Sequence, residues 1–313
     1  MLNRRNFLAA AALTATLTMP MMASTAQAAD WSKDYPEIVL GVIPAENAST
    51  TSDRYAPLAA YLGKELGTKV TLRVANDYAA VIEGQRAGNI QIAFYGPASY
   101  ARAVMTGVET TPLVNQRHDT GVNGYYSVVY VRADSPYQKM DDLKGKAIAL
   151  VDPNSTSGNN APRFFLNRDG YSVDTFFGKN FFAGSHENAV LALAQGTADA
   201  AANSWNSEDD SNLTRMVSRG VLKDANGKAM TKDDFRIIFK SDFLPEGPFA
   251  VLSTLPDQLK ADIKQAFLDM PTKDKAGFDA LSDGKDKEFV ATEAKEYEPI
   301  IEMLKFNDKA RKS

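Results

Sequence analysis

From Asp152 to Asn159 the chain reads Asp-Pro-Asn-Ser-Thr-Ser-Gly-Asn, which puts three hydroxyls and a glycine side by side. At the start of a helix the first backbone N–H groups have no intrahelical partner, and Ser or Thr side chains gather beside them. If both sets point into one small volume, with the positive end of the helix dipole behind them, an oxyanion can be held without a formal cation. The residues before the run, 146–151, read as a short buried strand, and Arg163-Phe164-Phe165-Leu166 after it as the first apolar face of a helix. Pro162 fits only within the first helical turn, where its missing N–H costs little. Ser155, Thr156 and Ser157 are therefore expected at or beside an N-cap. Many capped helices bind nothing, so the weight lies on three hydroxyls with Gly158 and on the turns that accompany them.

Three other strand-end turns carry similar chemistry: Asn76-Asp77-Tyr78, Tyr95-Gly96-Pro97-Ala98-Ser99 and Gly184-Ser185-His186-Glu187. His186 follows the expected cap Ser185, and its ring either donates to an oxyanion oxygen or fills the first turn of its helix. Tyr78 and Tyr95 offer hydroxyl donors and aromatic walls; the alternative is that both are core aromatics at strand ends. Asn206 sits in Trp205-Asn206-Ser207-Glu208-Asp209-Asp210, a polar run after a buried strand that either holds the far end of a ligand or forms a solvated loop.

The elements that must position these turns alternate strand and helix with short connections, the pattern of an α/β protein with a largely parallel sheet. Residues 38–43 read as the first strand, 44–53 as a loop, 54–66 as an amphipathic helix stopped by Gly67, 69–74 as a strand and 78–87 as a helix. Residues 80–97 run helix, glycine, short strand, polar turn, and 189–206 repeat that order, which suggests two similarly built lobes. Crossings between lobes are expected near 125–130 and near 239–248, the latter supported by Pro245-Glu246-Gly247-Pro248. That gives a first lobe of residues 29–127 plus 245–313 and a second of 128–244, with helices at 255–270 and 293–306 packed back on the first. Open α/β sheets take ligands beyond the carboxyl ends of their strands, so two facing sheets would create one cleft.

With 313 residues, 44% hydrophobic and 24% charged, the chain has enough material for two cores. Arg4-Arg5, a weakly apolar segment from Phe7 to Ala23 and the small residues Ala26-Gln27-Ala28 read as a signal peptide, residues 1–28, cleaved after Ala28. The apolar segment is too short for a membrane anchor, which needs about 20 residues. Asn3-Arg4-Arg5-Asn6-Phe7-Leu8 also resembles a twin-arginine export signal. Export by either route ends in the periplasm. The chain has no cysteine and only two histidines, which excludes disulfides, thiolate chemistry and a His-rich metal site. Residues 1–28 hold two arginines and no acid, so their removal takes the formal charge from −4 to −6, against nucleic acid or anionic membrane as a partner. The sequence has no G-x-S-x-G elbow, P-loop or H-E-x-x-H motif. No cofactor and no catalysis are expected.

Taken together, Asp77-Tyr78-Ala79, Tyr95-Gly96, Tyr126-Ser127-Val128, the Asp152–Gly158 run and His186-Glu187 before a helix resemble the phosphonate-binding periplasmic proteins that serve ABC transporters. The resemblance covers nearly the whole mature chain. It implies a type II periplasmic-binding fold, each lobe a mixed sheet flanked by helices. In that family the Ser-Thr-Ser helix start and the histidine hold phosphonate oxygens while two tyrosines line the cleft. The matching residues are Ser155, Thr156, Ser157, His186, Tyr78 and Tyr95. The implied partners are a small phosphonate, phosphite or phosphate and a permease in the inner membrane.

The chain departs from the family at the ligand's tail. Members that bind 2-aminoethylphosphonate place an acid at the position matched by Asn206, and a second acid where Gly247 stands. Glu208, Asp209 or Glu246 would have to replace them, or the ligand is a smaller or neutral-tailed oxyanion. Two other classes stay open on the sequence: an exported enzyme acting on a phosphoryl compound, and the ligand-sensing partner of a membrane receptor.

Overall fold

Strand β1 (Glu37–Val42) has Ile38, Leu40 and Val42 at zero exposure, as suits a strand with parallel neighbours on both sides and helices over its faces. The computed structural model describes residues 30–311, and the expected signal peptide lies outside the described residues. After β1 the chain forms α1 (Ala48–Leu66), β2 (Lys69–Val74), α2 (Tyr78–Arg86), β3 (Ile92–Phe94), α3 (Pro97–Met105) and β4 (Thr110–His118). Helix α1 begins six residues before the expected start at 54. Asn47 caps it by accepting from the Thr50 N–H at 3.0 Å, so the Ser/Thr-rich stretch that reads as loop is its first turn.

The second sheet starts with β5 (Gly124–Arg132) and continues through β6 (Ala147–Leu150), α4 (Ala161–Arg168), α5 (Val173–Phe176), β7 (Lys179–Phe182), α6 (His186–Ala194), β8 (Ala200–Ser207), β9 (Asp210–Ser211), α7 (Asn212–Ser218), β10 (Phe235–Lys240) and β11 (Leu244–Pro245). The chain then returns to the first sheet with β12 (Phe249–Leu252), α8 (Asp257–Lys273), α9 (Lys275–Ala280), β13 (Asp286–Ala291) and α10 (Glu298–Ala310). The strand order is β13-β4-β12-β3-β1-β2 in one sheet and β10-β5-β8-β6-β7 in the other, where β11 pairs with β5 and β9 with β8. Both sheets are mixed: β1 is parallel to β2 and β3 while β12 runs antiparallel, and β6 is parallel to β7 and β8 while β5 runs antiparallel.

These sheets move the expected first boundary. Residues 124–127 already pair within the second sheet, so the chain crosses at 119–123 and comes back at 246–248. The Tyr-Tyr-Ser-Val-Val-Tyr strand is not a connector because Val128, Val129 and Val131 are fully buried in that sheet. The two sequence repeats have matching geometry: α2 and α6 each end before a glycine, Gly88 or Gly196, at φ 73°, and each leads into a strand of its sheet.

The first sheet packs Leu40, Leu58, Leu62, Phe249, Phe267 and Phe289 into one core, and the second packs Val129, Val131, Ile148, Leu150, Leu166 and Ala202 into another. Helix α8 lies on the first sheet as expected. Helix α10 packs on the first half as expected, against α3, and also reaches the second. Its Ile300, Met303 and Leu304 pack with Ala98 and Ala101 of α3 and with Ala161 and Phe165 of α4, and Asn307 donates to the Asn160 carbonyl at 2.9 Å.

Candidate functional site

The Ser155 hydroxyl accepts from the Gly158 N–H at 3.1 Å, which makes Ser155 the cap of the helix start, as its sequence suggests. The turn beyond it is not an ordinary α turn. Asn160 N–H reaches the Ser155 carbonyl at 3.0 Å and Ala161 N–H reaches the Thr156 carbonyl, a five-residue π spacing over Thr156–Asn160. The cause is local. Pro162 has no N–H for the Gly158 carbonyl, which accepts from Val151 N–H at 3.0 Å instead. A Cβ on Gly158 would fall 2.2 Å from Val151 Cγ2, so only glycine lets the turn lie this close to the strand end. The Asn160 side chain donates to the Pro153 and Ser155 carbonyls, both at 2.9 Å, and fixes the loop from the other side.

A cleft with a cavity of about 140 Å³ opens beside this turn. Its wall contains all seven expected residues: Tyr78, Tyr95, Ser155, Thr156, Ser157, His186 and Asn206. Four helix starts meet there. Asp77 caps α2 by accepting from Ala80 N–H at 2.7 Å, Gly96 precedes α3 with Pro97 in its first turn, Ser155 caps the π turn, and Ser185 caps α6 by accepting from Asn188 N–H at 3.1 Å. The two halves are tied across the cleft. Ala98 N–H donates to Thr156 Oγ1 at 2.8 Å, and His186 N–H donates to the Ala45 carbonyl at 3.0 Å.

The tyrosines divide. Tyr78 is buried, its hydroxyl lies against Ser155, and burial pushes its pKa up, so it stays a neutral donor. Tyr95 instead donates its hydroxyl to the buried Gln85 Oε1 at 2.9 Å. It walls the cleft and is not the donor that the sequence reading allowed. Tyr125, missed in the sequence, places its phenol against the Thr156 and Ser157 side chains. Its strand position gave no signal, because the contact depends on how β5 and the π turn meet.

His186 is buried, its Nδ1 3.1 Å from Asn203 Oδ1. Desolvation, opposed by the Asn203 hydrogen bond, lowers its pKa to about 4, so the ring is neutral at pH 7. His118, the second histidine, also lines the cleft. Burial works against its charge, but Asp286 at 2.8 Å and Glu246 at 3.4 Å outweigh that and raise its pKa to about 10. Gln116 donates to the other oxygen of Asp286.

Arginines that the sequence did not single out stand at the edge. Arg54 and Arg215 line the cleft and both bond to the buried Glu46 Oε1, at 2.8 and 3.3 Å, while Arg219 lies 3.8 Å from Glu46 Oε2. Burial raises the Glu46 pKa, and the three guanidiniums outweigh it and hold the carboxyl below its usual range. Arg215 also grips Asp210 at 2.6 Å. Neither guanidinium is a bare cation, which leaves hydroxyls and N–H groups as the main anion donors.

At the tail, Asn206 donates to Asp210 Oδ2 at 2.7 Å, so a carboxylate stands behind the amide. Gly247 has no room for an acid, since a Cβ there would lie 2.2 Å from the Tyr95 carbonyl oxygen. Glu208 and Asp209 do not line the cleft, and exposed Asp209 pairs with Lys232 at 3.0 Å. Glu246 does line it. Among the described residues no group of three or more His, Asp or Glu side chains is arranged to hold a metal ion.

Two mixed sheets flanked by helices, with a ligand cleft between them, define a type II periplasmic-binding fold. The sequence pattern described as "ABC transporter, phosphonate, periplasmic substrate-binding protein" matches residues 40–297, and the chain belongs to that family. It is 33% identical over 267 residues to the phosphate-import protein PhnD of Mycolicibacterium smegmatis, covering 82% of this chain and 79% of the relative. It is 29% identical over 265 residues to the phosphonates-binding periplasmic protein of Escherichia coli, covering 83% and 73%. Its fold matches PhnD1 of Prochlorococcus marinus, solved with methylphosphonate, with a TM-score of 0.73 at 21% identity over 88% and 99% of the two chains. The protein is an extracytoplasmic solute-binding component of an ABC transport system. No helix among the described residues is long and apolar enough to cross a membrane.

Proposed function

We propose that the cleft captures a small phosphorus oxyanion, a phosphonate, phosphite or phosphate, and that the filled form docks on an ABC permease in the inner membrane. Tyr78, Ser155, Thr156, Ser157 and His186 hold the oxyanion, Tyr95 and Tyr125 wall it, and Asn206 meets the tail. The observation that carries this reading is the convergence of four helix starts with the three hydroxyls of 155–157 in one narrow cavity. Such a site neutralises an anion with N–H and O–H dipoles, which suits a protein of acidic average charge.

The two sheets form lobes that close on ligand by hinge motion through 119–123 and 246–248. Residues 30–118 with 249–311 make one lobe and 124–245 the other. Catalysis is not part of this reading: the Ser155 oxygen already accepts a backbone N–H, which makes it a poor nucleophile. Arg4-Arg5 directs export, by the twin-arginine or the general route.

Isothermal titration of the ligand-stripped mature protein with 2-aminoethylphosphonate, methylphosphonate, phosphite and phosphate tests the reading. Tight binding of at least one is expected. Failure of all four would overturn the ligand class.

A further inference from the structure

Asn203, on β8, is fully buried and settles which ring nitrogen of His186 carries the proton. Its Oδ1 lies 3.0 Å from the Ser204 backbone N–H, which can only donate, and its Nδ2 lies 2.9 Å from the His186 carbonyl, which can only accept. The amide orientation is thereby fixed from both ends. Asn212 Nδ2 also donates to Oδ1, at 3.1 Å. His186 Nδ1, 3.1 Å from the same oxygen, must therefore be the protonated nitrogen. In a neutral ring that leaves Nε2 with a lone pair and no hydrogen.

The charges around the ring do not reverse this. Arg215 of α7 disfavours a proton and Glu46 of the β1–α1 loop favours one, and the two are themselves paired at 3.3 Å. Asp210 on β9 is tied to Arg215, and Glu187 on the same helix to Arg219. Desolvation holds the free ring neutral, with a pKa of about 4.

A lone pair facing a bare oxyanion oxygen is repulsive, whereas one facing P–OH is a hydrogen-bond acceptor. We propose that His186 is the residue that reads the ligand's proton: Nε2 accepts from a P–OH group, so the cleft selects the singly protonated phosphorus oxyanion and rejects anions of the same shape and charge that carry no proton. This rests on the ligand class proposed above and extends it to a protonation state. Sulfonates are the rejected isosteres, because at neutral pH they have three bare oxygens.

The test compares methylphosphonate with methanesulfonate by titration calorimetry between pH 6 and 9, together with ¹⁵N spectra of the histidines in the methylphosphonate complex. Methanesulfonate is expected to bind at least about 100-fold more weakly. Methylphosphonate affinity is expected to fall about tenfold per pH unit above the ligand's second ionisation. The bound His186 should show one protonated nitrogen and one bare, hydrogen-bonded nitrogen. His186→Gln offers the ligand either a donor or an acceptor and should narrow the phosphonate-to-sulfonate ratio to under about tenfold. Equal binding of the two ligands by the unaltered protein, or two protonated ring nitrogens in the complex, would overturn the inference while leaving the ligand class standing. Absence of binding by any phosphorus oxyanion would overturn the ligand class, and this inference with it.

Discussion

Thr156 Oγ1, on the turn that begins α4, accepts a hydrogen bond from Ala98 N–H, in the first turn of α3, at 2.8 Å across the cleft. The bond joins the two halves of the protein at the point where the oxyanion is expected. The Thr156 oxygen faces the Ala98 amide and its side chain lies against the Tyr125 phenol; in the proposed site its hydrogen turns to the ligand. Thr156→Val removes both roles in nearly the same volume. It should weaken oxyanion binding by about 1–3 kcal/mol, while Thr156→Ser stays near the parent. Titration calorimetry of both variants decides it, and an unchanged affinity in the valine variant would remove Thr156 from the site.

The part of this site that lies in the sequence is the part set by local chemistry. Ser155, Thr156, Ser157 and His186 are legible because capping preferences act within a few residues. The π spacing was not, since it arises from Pro162 acting together with the Val151 N–H that takes up the Gly158 carbonyl. The alternation of strand and helix gave the α/β class, and β4 was missed because its Thr-Thr-Pro-Leu-Val-Asn-Gln-Arg-His sequence lacks a clear apolar run. Glu46, Arg54, His118, Tyr125 and Arg215 carry no sequence signal of their own, because their partners lie far along the chain, as with His118 and Asp286 or Glu46 and Arg215. Whether a tyrosine hydroxyl faces ligand or core was equally out of reach, as Tyr95 and Gln85 illustrate.

If the ligand carries an ammonium, Glu246 is the carboxylate at the tail end of the cleft that we propose meets it. Asp210 is held by Arg215 and Asn206, and Asp286 by His118 and Gln116, whereas Glu246 accepts the Gly247 N–H through Oε1 at 3.1 Å and its Oε2 lies a long 3.4 Å from His118. Glu246→Gln should therefore weaken 2-aminoethylphosphonate by about 1.5–3 kcal/mol, the worth of a charge-assisted bond, and change methylphosphonate little. Parallel titrations with the two ligands give the comparison. An equal loss for both would mean that Glu246 acts on the architecture of the cleft and not on an ammonium.

Glu46 sits 3% exposed between guanidiniums from both halves, Arg54 on one side and Arg215 and Arg219 on the other. Neutralising it leaves the mostly buried Arg54 without its carboxylate, while Arg215 and Arg219 keep Asp210 and Glu187. Glu46→Gln should lower stability by about 3–5 kcal/mol, the usual cost of breaking a buried pair from one side. Because Arg215 and Arg219 belong to the second sheet's half, the loss should also favour the open arrangement. Chemical denaturation reads the first effect and small-angle scattering of the ligand-free protein the second. A scattering profile identical to that of the parent would mean that Glu46 stabilises its own half alone.

His118 makes stability depend on alkaline pH. Its folded pKa, about 10, lies above the ordinary histidine value of 6.5 because the Asp286 and Glu246 carboxylates outweigh burial. A raised folded pKa means that the native state holds a proton the unfolded chain has released. The stabilisation is thus fully present below about pH 6.5, declines as pH rises, and is gone above about pH 10. Its full size is at most about 5 kcal/mol, one pKa unit being worth about 1.4 kcal/mol. His186 acts at the other end: its pKa, lowered to about 4, costs stability as pH falls from 6.5 toward 4. Urea unfolding of the parent and of His118→Gln at pH 6, 8 and 10 isolates the alkaline arm. The parent should lose stability across that range and the variant much less. Parallel curves for the two proteins would show that the histidine and its two carboxylates do not share a proton in the folded state.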